Sequence, residues 1–226
     1  MKILAVDTST NFLCLGLSDG HRFYEYNLEL GRRLSSLLAP ALKRTVEAAG
    51  WKLKDIDYLA CGLGPGSFTG LRLGMAAVKG LGWALNKPLV GIPSLDILAA
   101  QVKEEGREIA VIVDARRGLV YCGIYKNKNG RIKRIAPYAL LNEEELFKSI
   151  KDNSIILGNG VNLCRERILH KVKAVTILDK DYWYPKARNM MELALERIRD
   201  KKISNAFALK PIYLYPKECQ VKHIMQ

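Results

Sequence analysis

Two aspartates that follow matching apolar strands are the first candidates for chemistry. Asp7 ends the run Ile3–Val6, and Asp114 ends the run Ile109–Val113. Each is followed by a polar turn and a second apolar segment, a pattern typical of a strand, a turn and a strand. Two carboxylates that face one cleft can hold Mg²⁺ or activate water. Alternatively, each aspartate caps its own turn, and the sequence leaves both interpretations open.

A glycine-rich loop, GLGPGSFTG, runs from Gly62 to Gly70 between a short apolar strand and a predicted helix. Backbone amides at a helix N-terminus attract anions, which makes the loop a candidate phosphate site. The loop lacks the lysine of a P-loop and the third glycine of a dinucleotide loop, so its spacing alone favours a tight structural turn. The candidate phosphate-binding residues here are Thr8, Ser9, Gly64, Gly66 and Ser67.

The second half of the chain repeats this plan. The strand at 154–157 runs into Gly158 and Gly160, as the earlier strand runs into Gly62 and Gly64. Repeated hairpins and strand–helix crossovers predict an α/β fold of two duplicated lobes of mixed sheet with flanking helices, packed across a cleft. We place the N-terminal lobe at residues 1–105, joined by the tail 206–226, and the C-terminal lobe at residues 106–205.

Cysteine and histidine spacing predicts no metal site. The histidines His21, His170 and His223 are widely separated, and the five cysteines show no C-x-x-C spacing. We expect reduced and mostly buried thiols. The cysteines are Cys14, Cys61, Cys122, Cys164 and Cys219.

The sequence predicts a cytoplasmic protein that does not enter a membrane. Spanning a bilayer takes roughly 20 consecutive apolar residues, and the chain has no such run. Its start leads directly into a strand pattern and does not resemble a signal peptide.

Positive charge is concentrated in the second half. Residues 1–105 carry 12 Lys and Arg against 10 Asp and Glu, a net charge of +2, whereas residues 106–226 carry 24 against 13, a net charge of +11. Such a basic half can attract a polyphosphate such as tRNA or an acidic protein. A solvated surface rich in lysine and glutamate is the other interpretation.

Two predicted helices carry small and apolar stripes. The first runs from Leu34 to Ala49, and the second opens at the glycine loop and continues to about Asn86. A helical glycine costs about 1 kcal/mol, so close packing must offset it, either against the chain's own sheet or against helices of a second chain. The candidate interface residues are Leu34, Leu37, Leu38, Ala41, Leu42, Gly70, Gly74, Met75, Ala77 and Val78.

The run GLGPGSFTGLRLG at residues 62–74, with the opening ILAVDTST, resembles the TsaB (YeaZ) family. Further matches occur in the same order along most of the chain: Gly91–Asp96, Val113–Arg116, Gly118–Tyr121, Gly158–Gly160 and Pro211–Leu214. The resemblance implies the two-lobed actin/Hsp70/sugar-kinase (ASKHA) fold. It also implies that the two small-residue helices pair in a helical bundle, with a partner or with a second copy.

The function implied by the resemblance is that of a non-catalytic subunit in threonylcarbamoylation of adenosine 37 of tRNA. The expected partners are the catalytic paralogue TsaD, which this chain would activate, and the ATPase TsaE, with tRNA bound through the complex. A homodimer is expected when the chain is alone. ATP and a metal are expected in the partner subunits, and no cofactor is required by this one.

Departures from the catalytic relatives also follow from the resemblance. Their metal-binding histidine pair falls at about Ser94 and Leu98 here, and neither residue can replace those ligands. Asp114 precedes Ala115, Arg116 and Arg117, where the fold's second phosphate loop has glycines.

Two alternatives stay open. One is a weak nucleotide-binding or nucleotide-hydrolysing ASKHA protein that uses Asp7, Ser67 and Asp114. The other is a self-associating dimer that acts independently. The older glycoprotease description of the family is disfavoured, because the sequence offers neither a metal pair nor a Ser/His/Asp arrangement.

Overall fold

The computed structural model describes residues 1–216, so Cys219, His223 and the end of the predicted tail lie outside the described residues. The strands are β1 (Ile3–Asp7), β2 (Phe12–Ser18), β3 (Phe23–Glu29), β4 (Tyr58–Gly62), β5 (Leu89–Ile92), β6 (Glu108–Arg116), β7 (Leu119–Lys128), β8 (Arg131–Arg134), β9 (Ala139–Leu141), β10 (Ile155–Leu157) and β11 (Thr176–Ile177). The helices are α1 (Leu34–Ala48), α2 (Phe68–Ala84), α3 (Ser94–Ala99), α4 (Glu143–Ser149), α5 (Arg165–Lys171) and α6 (Ala187–Arg199).

The strands form two sheets with the same order. The first sheet runs β3-β2-β1-β4-β5, and the second runs β8-β7-β6-β10-β11, with β9 paired to β7. In each sheet the first three strands are antiparallel and the last two join in parallel. This repeated order confirms the predicted duplication and the α/β ASKHA-like fold.

Strand β1 is buried on both faces because helices cover both sides of the first sheet. Leu4 and Val6 point into a core that also contains α1 and α2. Ile3 and Ala5 point to the opposite side and pack with Met190 of α6. The alternation of side chains along a strand thus explains why this short segment is apolar at successive positions.

Helix α6 packs on the first sheet, although it follows the second sheet in sequence. Ala187, its first residue, lies against Gly16 of β2, where an added Cβ would come within 2.8 Å of the alanine Cβ. The backbone amide of Ala187 donates to Glu25 of β3. The sequence-based boundaries assigned α6 to the C-terminal lobe, and the division at residues 105 and 205 stays a prediction.

Helix α3 is shorter than the sequence predicts. We expected it to reach about Glu105, but it ends at Ala99. The side chain of Asn127 in β7 donates to the carbonyl oxygen of Lys103 at 2.9 Å. This long-range contact holds the chain that follows Ala99 against β7.

Helix α3 joins the two sheets. Leu95 and Leu98 pack with the second sheet, whereas Ile97 packs with the first sheet and α6. Asp96 accepts hydrogen bonds from Tyr125 of β7 at 2.9 Å and from Tyr138 at 2.5 Å. Burial, together with the Asp96 carboxylate, raises the pKa values of both tyrosines above the usual range.

Asp96→Ala should lower the free energy of unfolding by about 2–4 kcal/mol, because two largely buried tyrosine hydroxyls lose their acceptor. Urea unfolding measures the change. Glu144→Ala, on the exposed side of α4, removes a carboxylate without a buried partner and should change stability by less than about 0.5 kcal/mol. Equal effects of the two substitutions would contradict the proposed link between α3 and the second sheet.

Candidate functional site

The β1–β2 turn and the glycine loop pack tightly against each other. The amide of Ser67 donates to the carbonyl of Ser9 at 2.7 Å, and the hydroxyl of Thr8 donates to the carbonyl of Gly70 at 2.7 Å. A Cβ on Gly66 would lie 2.3 Å from the Ser9 carbonyl oxygen, too close for any side chain. The structure therefore brings together Thr8, Ser9 and the loop, and it gives the glycines a packing role.

Asp7 is buried beneath this contact and is fully engaged within the chain. One carboxylate oxygen accepts from the amide and the hydroxyl of Ser9, at 2.8 and 2.6 Å, and the other accepts from the Ser94 hydroxyl at 2.6 Å. Gly62 leaves room for it, since a Cβ there would lie 1.9 Å from the second oxygen. Asp7 thus acts here as the centre of a hydrogen-bond network.

Burial raises the pKa of Asp7 above its ordinary value. The hydrogen bonds from Ser9 and Ser94 favour the ionised form, but they offset the loss of solvation only in part. Ser94, at one position of the relatives' histidine pair, also accepts from the amide of Gly64 at 3.0 Å. Leu98, at the other position, lies in the core.

The second lobe repeats the packing with different side chains. Asn159 accepts from the backbone amide of Asp114 at 3.0 Å, which ties the Gly158–Gly160 turn to the end of β6. Gly158 has a left-handed φ of 103°, and a Cβ there would lie 2.2 Å from the Ile112 carbonyl oxygen. Gly158 and Gly160 are therefore explained by contact with β6.

A cleft of about 400 Å³ lies between the lobes. Ser9, Gly66 and Ser67 line one side, and Asp114 lines the other. Asp7 is 1% exposed and does not line this cleft, whereas Asp114 does, and the paired-carboxylate interpretation stays a prediction. Asp114 instead accepts from the amide of Arg116 at 2.7 Å, and its other oxygen lies 3.3 Å from the Arg116 guanidinium.

The turn after Asp114 adopts an unusual backbone. Arg116 and Arg117 have φ values of 69° and 55°, in the left-handed region that ordinarily favours glycine. Such a conformation costs roughly 1–2 kcal/mol per non-glycine residue. Both arginines also line the cleft. They occupy the positions at which the family resemblance implies glycines in the fold's second phosphate loop.

The tail also lines the cleft. The amide of Ile212 donates to Leu63 at 2.8 Å, which attaches the tail to the glycine loop. Further along, the Tyr215 hydroxyl donates to the carbonyl of Ala115 at 2.9 Å, and its ring packs edge-on against Tyr121. Residues 211–215 thus run from the first lobe to the second.

The residues of the cleft do not fit a magnesium nucleotide bound as the fold implies. Asp7 is fully hydrogen-bonded below the surface, Asp114 is paired with Arg116, and the tail covers the backbone of the second turn. Within residues 1–216, no group of three or more histidine, cysteine or acidic side chains is placed to hold a metal ion. We therefore derive no chemical step through a nucleotide in this chain.

The described cysteines behave as core residues. Cys14, Cys61, Cys122 and Cys164 are buried free thiols, as the sequence predicts. Burial raises the pKa of each, to about 12 for Cys122. A raised thiol pKa lowers the thiolate fraction, which makes these cysteines poor nucleophiles.

Most of the predicted interface residues face the interior of their own chain. A Cβ on Gly74 would lie 2.1 Å from the Thr8 hydroxyl oxygen, and one on Gly70 would lie 2.1 Å from the Thr8 carbonyl oxygen. The same interior position holds Leu34, Leu38, Leu42, Met75 and Val78. The structure thus gives these residues a role in packing α1 and α2 onto the first sheet, while Leu37, Ala41 and Ala77 are partly exposed.

A neighbouring stripe of α2 faces outward and was missed by the sequence analysis. We call it the outer α2 face; it comprises the exposed residues Ala76, Gly80, Trp83 and Ala84. Trp83 is 71% exposed, and an added Cβ on Gly80 would meet nothing within 4 Å. The two stripes carry similar small residues one position apart, so helical periodicity alone does not tell which one faces the sheet.

Across the described part of the chain, no helix combines the length and apolar character needed to cross a bilayer.

Comparison with known proteins gives consistent matches. The family model described as TsaD, tRNA N6-adenosine threonylcarbamoyltransferase, matches residues 29–220. The Bacillus subtilis tRNA threonylcarbamoyladenosine biosynthesis protein TsaB is 33% identical over 172 residues, which cover 74% of this chain and 75% of that protein. Its Escherichia coli counterpart is 28% identical and aligns over 95% of this chain and 94% of its own.

Solved structures agree with the sequence matches. YeaZ from Pseudomonas aeruginosa superposes with a TM-score of 0.81 at 27% identity, over 94% of this chain and 99% of that protein. A second Pseudomonas aeruginosa structure, of an uncharacterized protein with similarity to peptidase YEAZ, gives a TM-score of 0.83 over 95% and 99% of the two chains. With agreement over most of its length in both sequence and fold, the chain belongs to the TsaB (YeaZ) family.

Proposed function

We propose that this protein takes part in the biosynthesis of threonylcarbamoyladenosine in tRNA, as a non-catalytic subunit that binds and activates a TsaD-type transferase. The names of its relatives, and the transferase family whose model matches residues 29–220, support this pathway. The engaged state of Asp7 supports a role without catalysis in this subunit. A TsaE-type ATPase completes the proposed complex, and ATP and a metal belong to the partner subunits.

The outer α2 face is the observation that carries the partner role. Exposed tryptophans are uncommon on surfaces that stay in water, and aromatic residues are enriched at protein interfaces. Gly80 and Ala76 lie beside Trp83 and allow another helix to approach closely, because they have little or no side chain. A paralogue of the same fold offers a helix of matching geometry, and a second copy of this chain offers the same face in a homodimer.

The nucleotide-hydrolysing alternative has weaker support. Ser67 and Asp114 do line the cleft, but Asp7, which that alternative requires, does not. The other alternative, an independent dimer, would use the same outer α2 face. It would differ from the proposed function in one respect: the transferase would not displace the second copy from the homodimer.

Gly80→Arg should abolish the complex with the TsaD-type transferase of the same organism and also the homodimer. The arginine adds a charge and a long side chain to the outer α2 face without touching the interior. Gly74→Arg would be a poor test, because its side chain would collide with Thr8 and disrupt folding. Sedimentation of the chain alone and mixed with the transferase measures both assemblies.

Two controls accompany this experiment. Leu169→Arg adds the same charge to an exposed position of α5, where Leu169 is 54% exposed, and should leave both assemblies intact. Gly80→Ala should keep them and raise stability by roughly 0.5–1 kcal/mol through helix propensity. A wild-type chain that forms no complex with the transferase, or a Gly80→Arg variant that still does, would contradict the proposed interface.

Asp7→Asn should change how stability depends on pH. Because the pKa of Asp7 is raised in the folded protein, the native state binds this proton more tightly than the unfolded chain does. The contribution of Asp7 is therefore greatest below the unfolded pKa of about 4 and falls as pH rises through the folded value. Relative to Asp7→Asn, the wild type should lose stability as pH rises above about 4, by at most about 1.4 kcal/mol per pH unit, until the folded-state pKa is passed.

Urea unfolding of both proteins at several pH values measures this difference. A difference that grows in favour of the wild type with rising pH would mean that Asp7 is a stabilised carboxylate in the native state. That outcome would support the nucleotide-hydrolysing alternative, which needs an ionised Asp7 near neutral pH.

A further inference from the structure

The β7–β8 hairpin carries a row of paired cations, which we call the basic ribbon: Lys126, Lys128, Arg131 and Lys133. In the register of the two strands, Lys126 lies opposite Lys133, and Lys128 lies opposite Arg131. Residues two apart on a strand, and residues directly opposite across a pair, share one face. All four side chains therefore lie on the same face of the hairpin.

The other face of the hairpin is turned to the protein. Asn127 is buried and donates to the carbonyl of Lys103, and Ile132, directly opposite it, packs against the core of the second sheet. This anchoring fixes the ribbon's cations toward solvent. Arg131 is 70% exposed, and Lys128 and Lys133 are also exposed.

Like charges placed directly opposite each other destabilise a strand pair. Here acidic neighbours compensate only part of the row: Glu108 lies 3.6 Å from Lys126, and Glu196 lies 3.8 Å from Arg131. Lys128 and Lys133 form no ion pair with any residue in the range 1–216. The hairpin therefore keeps a local electrostatic conflict that a polyanion would relieve.

The positive surface continues beyond the hairpin. Arg131 reaches the C-terminal end of α6, where Lys202 hydrogen-bonds Asp200 at 2.9 Å. Lys202, followed by Arg131 and Arg199, lowers the pKa of Asp200, which places these cations around one carboxylate. On the other side, Lys151 lies 2.8 Å from Glu108. Glu105 also lies at the hairpin, where it accepts from the amide of Gly130 at 2.9 Å, so the seven lysines and arginines of this surface face four acidic residues.

Protection of an edge strand does not account for this arrangement. Lysines on an edge strand prevent unwanted pairing with another sheet, and β8 is such an edge. Lys126 and Lys128, however, lie on β7, which pairs with β8 on one side and with β6 on the other. The β6 register reaches Lys126, whose charge therefore adds to the field of the face without protecting an edge, whereas Lys128 is paired on the β8 side only.

We propose that the basic ribbon and the adjoining end of α6 bind the phosphate backbone of tRNA. This inference rests on the proposed function and adds to it the surface by which the subunit contacts the substrate. The binding is electrostatic and independent of base sequence, since lysine and arginine on an open face neutralise phosphates without reading base edges. Its role is to hold the tRNA while the partner transferase carries out the reaction.

The test measures binding of an unmodified tRNA transcript to the complex of this chain with the TsaD-type transferase, by fluorescence anisotropy at several salt concentrations. Lys128→Gln/Lys133→Gln should weaken binding about 5- to 20-fold near 0.15 M salt and reduce the slope of log K against log salt by about 2. Lys128→Arg/Lys133→Arg keeps the charges and should bind like the wild type. Lys173→Gln/Lys180→Gln removes the same charge from exposed positions of the same half and should change affinity less than about twofold.

Separate measurements keep the outcomes distinct. The Gln variant should melt at or above the wild-type temperature, because its substitutions relieve repulsion, and it should still sediment with the transferase. Unchanged tRNA affinity and salt slope in an intact complex would overturn the tRNA-binding inference alone. Absence of any complex would instead refute the proposed function, and tRNA titration of the chain alone would then decide about the ribbon. If the Lys128→Gln/Lys133→Gln variant binds vesicles that contain phosphatidylserine more weakly than the wild type does, but binds tRNA as well as the wild type, the surface would be assigned to membranes. That result would overturn the inference.

Discussion

The close approach of the glycine loop to the β1–β2 turn is the constraint on which the first lobe depends. Gly66 and Gly70 let the loop backbone touch Ser9 and Thr8, and Gly62 leaves space for the carboxylate of Asp7. The loop in turn fixes the start of α2, since Ser67 caps the helix by accepting from the amide of Gly70. The direction of α2, and with it the orientation of its outer face, follows from this contact.

The same constraint accounts for the glycines of the loop by packing alone. Once the backbones of loop and turn are in contact, a side chain at Gly66 would separate them whether or not a ligand binds nearby. Asp7 is held in the same way: its oxygens accept the buried donors of Ser9 and Ser94, which would otherwise lose hydrogen bonds. Glycines and an aspartate in this pattern are therefore evidence for the fold before they are evidence for catalysis.

The elements that the sequence predicted well are those governed by local periodicity. The apolar strand β1, the repeated strand–turn–strand units and the extent of α1 depend on neighbours a few residues apart, and all were confirmed. The errors involved contacts between distant residues. Asn127 holds the residues after α3 against β7, and Ser94, 87 residues from Asp7, supplies one of the hydrogen bonds to the buried Asp7 carboxylate. No local pattern contains that information.

The uneven charge of the chain acquires a physical meaning once the two surfaces are located. The outer α2 face belongs to the half with a net charge of +2, where the apolar Trp83 and the small residues beside it can be desolvated against a partner at little electrostatic cost. The basic ribbon belongs to the half with +11 and lies on the other sheet. A long-range field attracts a polyanion best when its charges stay exposed, whereas helix packing requires their absence. Placing the two surfaces on separate sheets, which α3 contacts from both sides, allows both requirements to be met in one small protein.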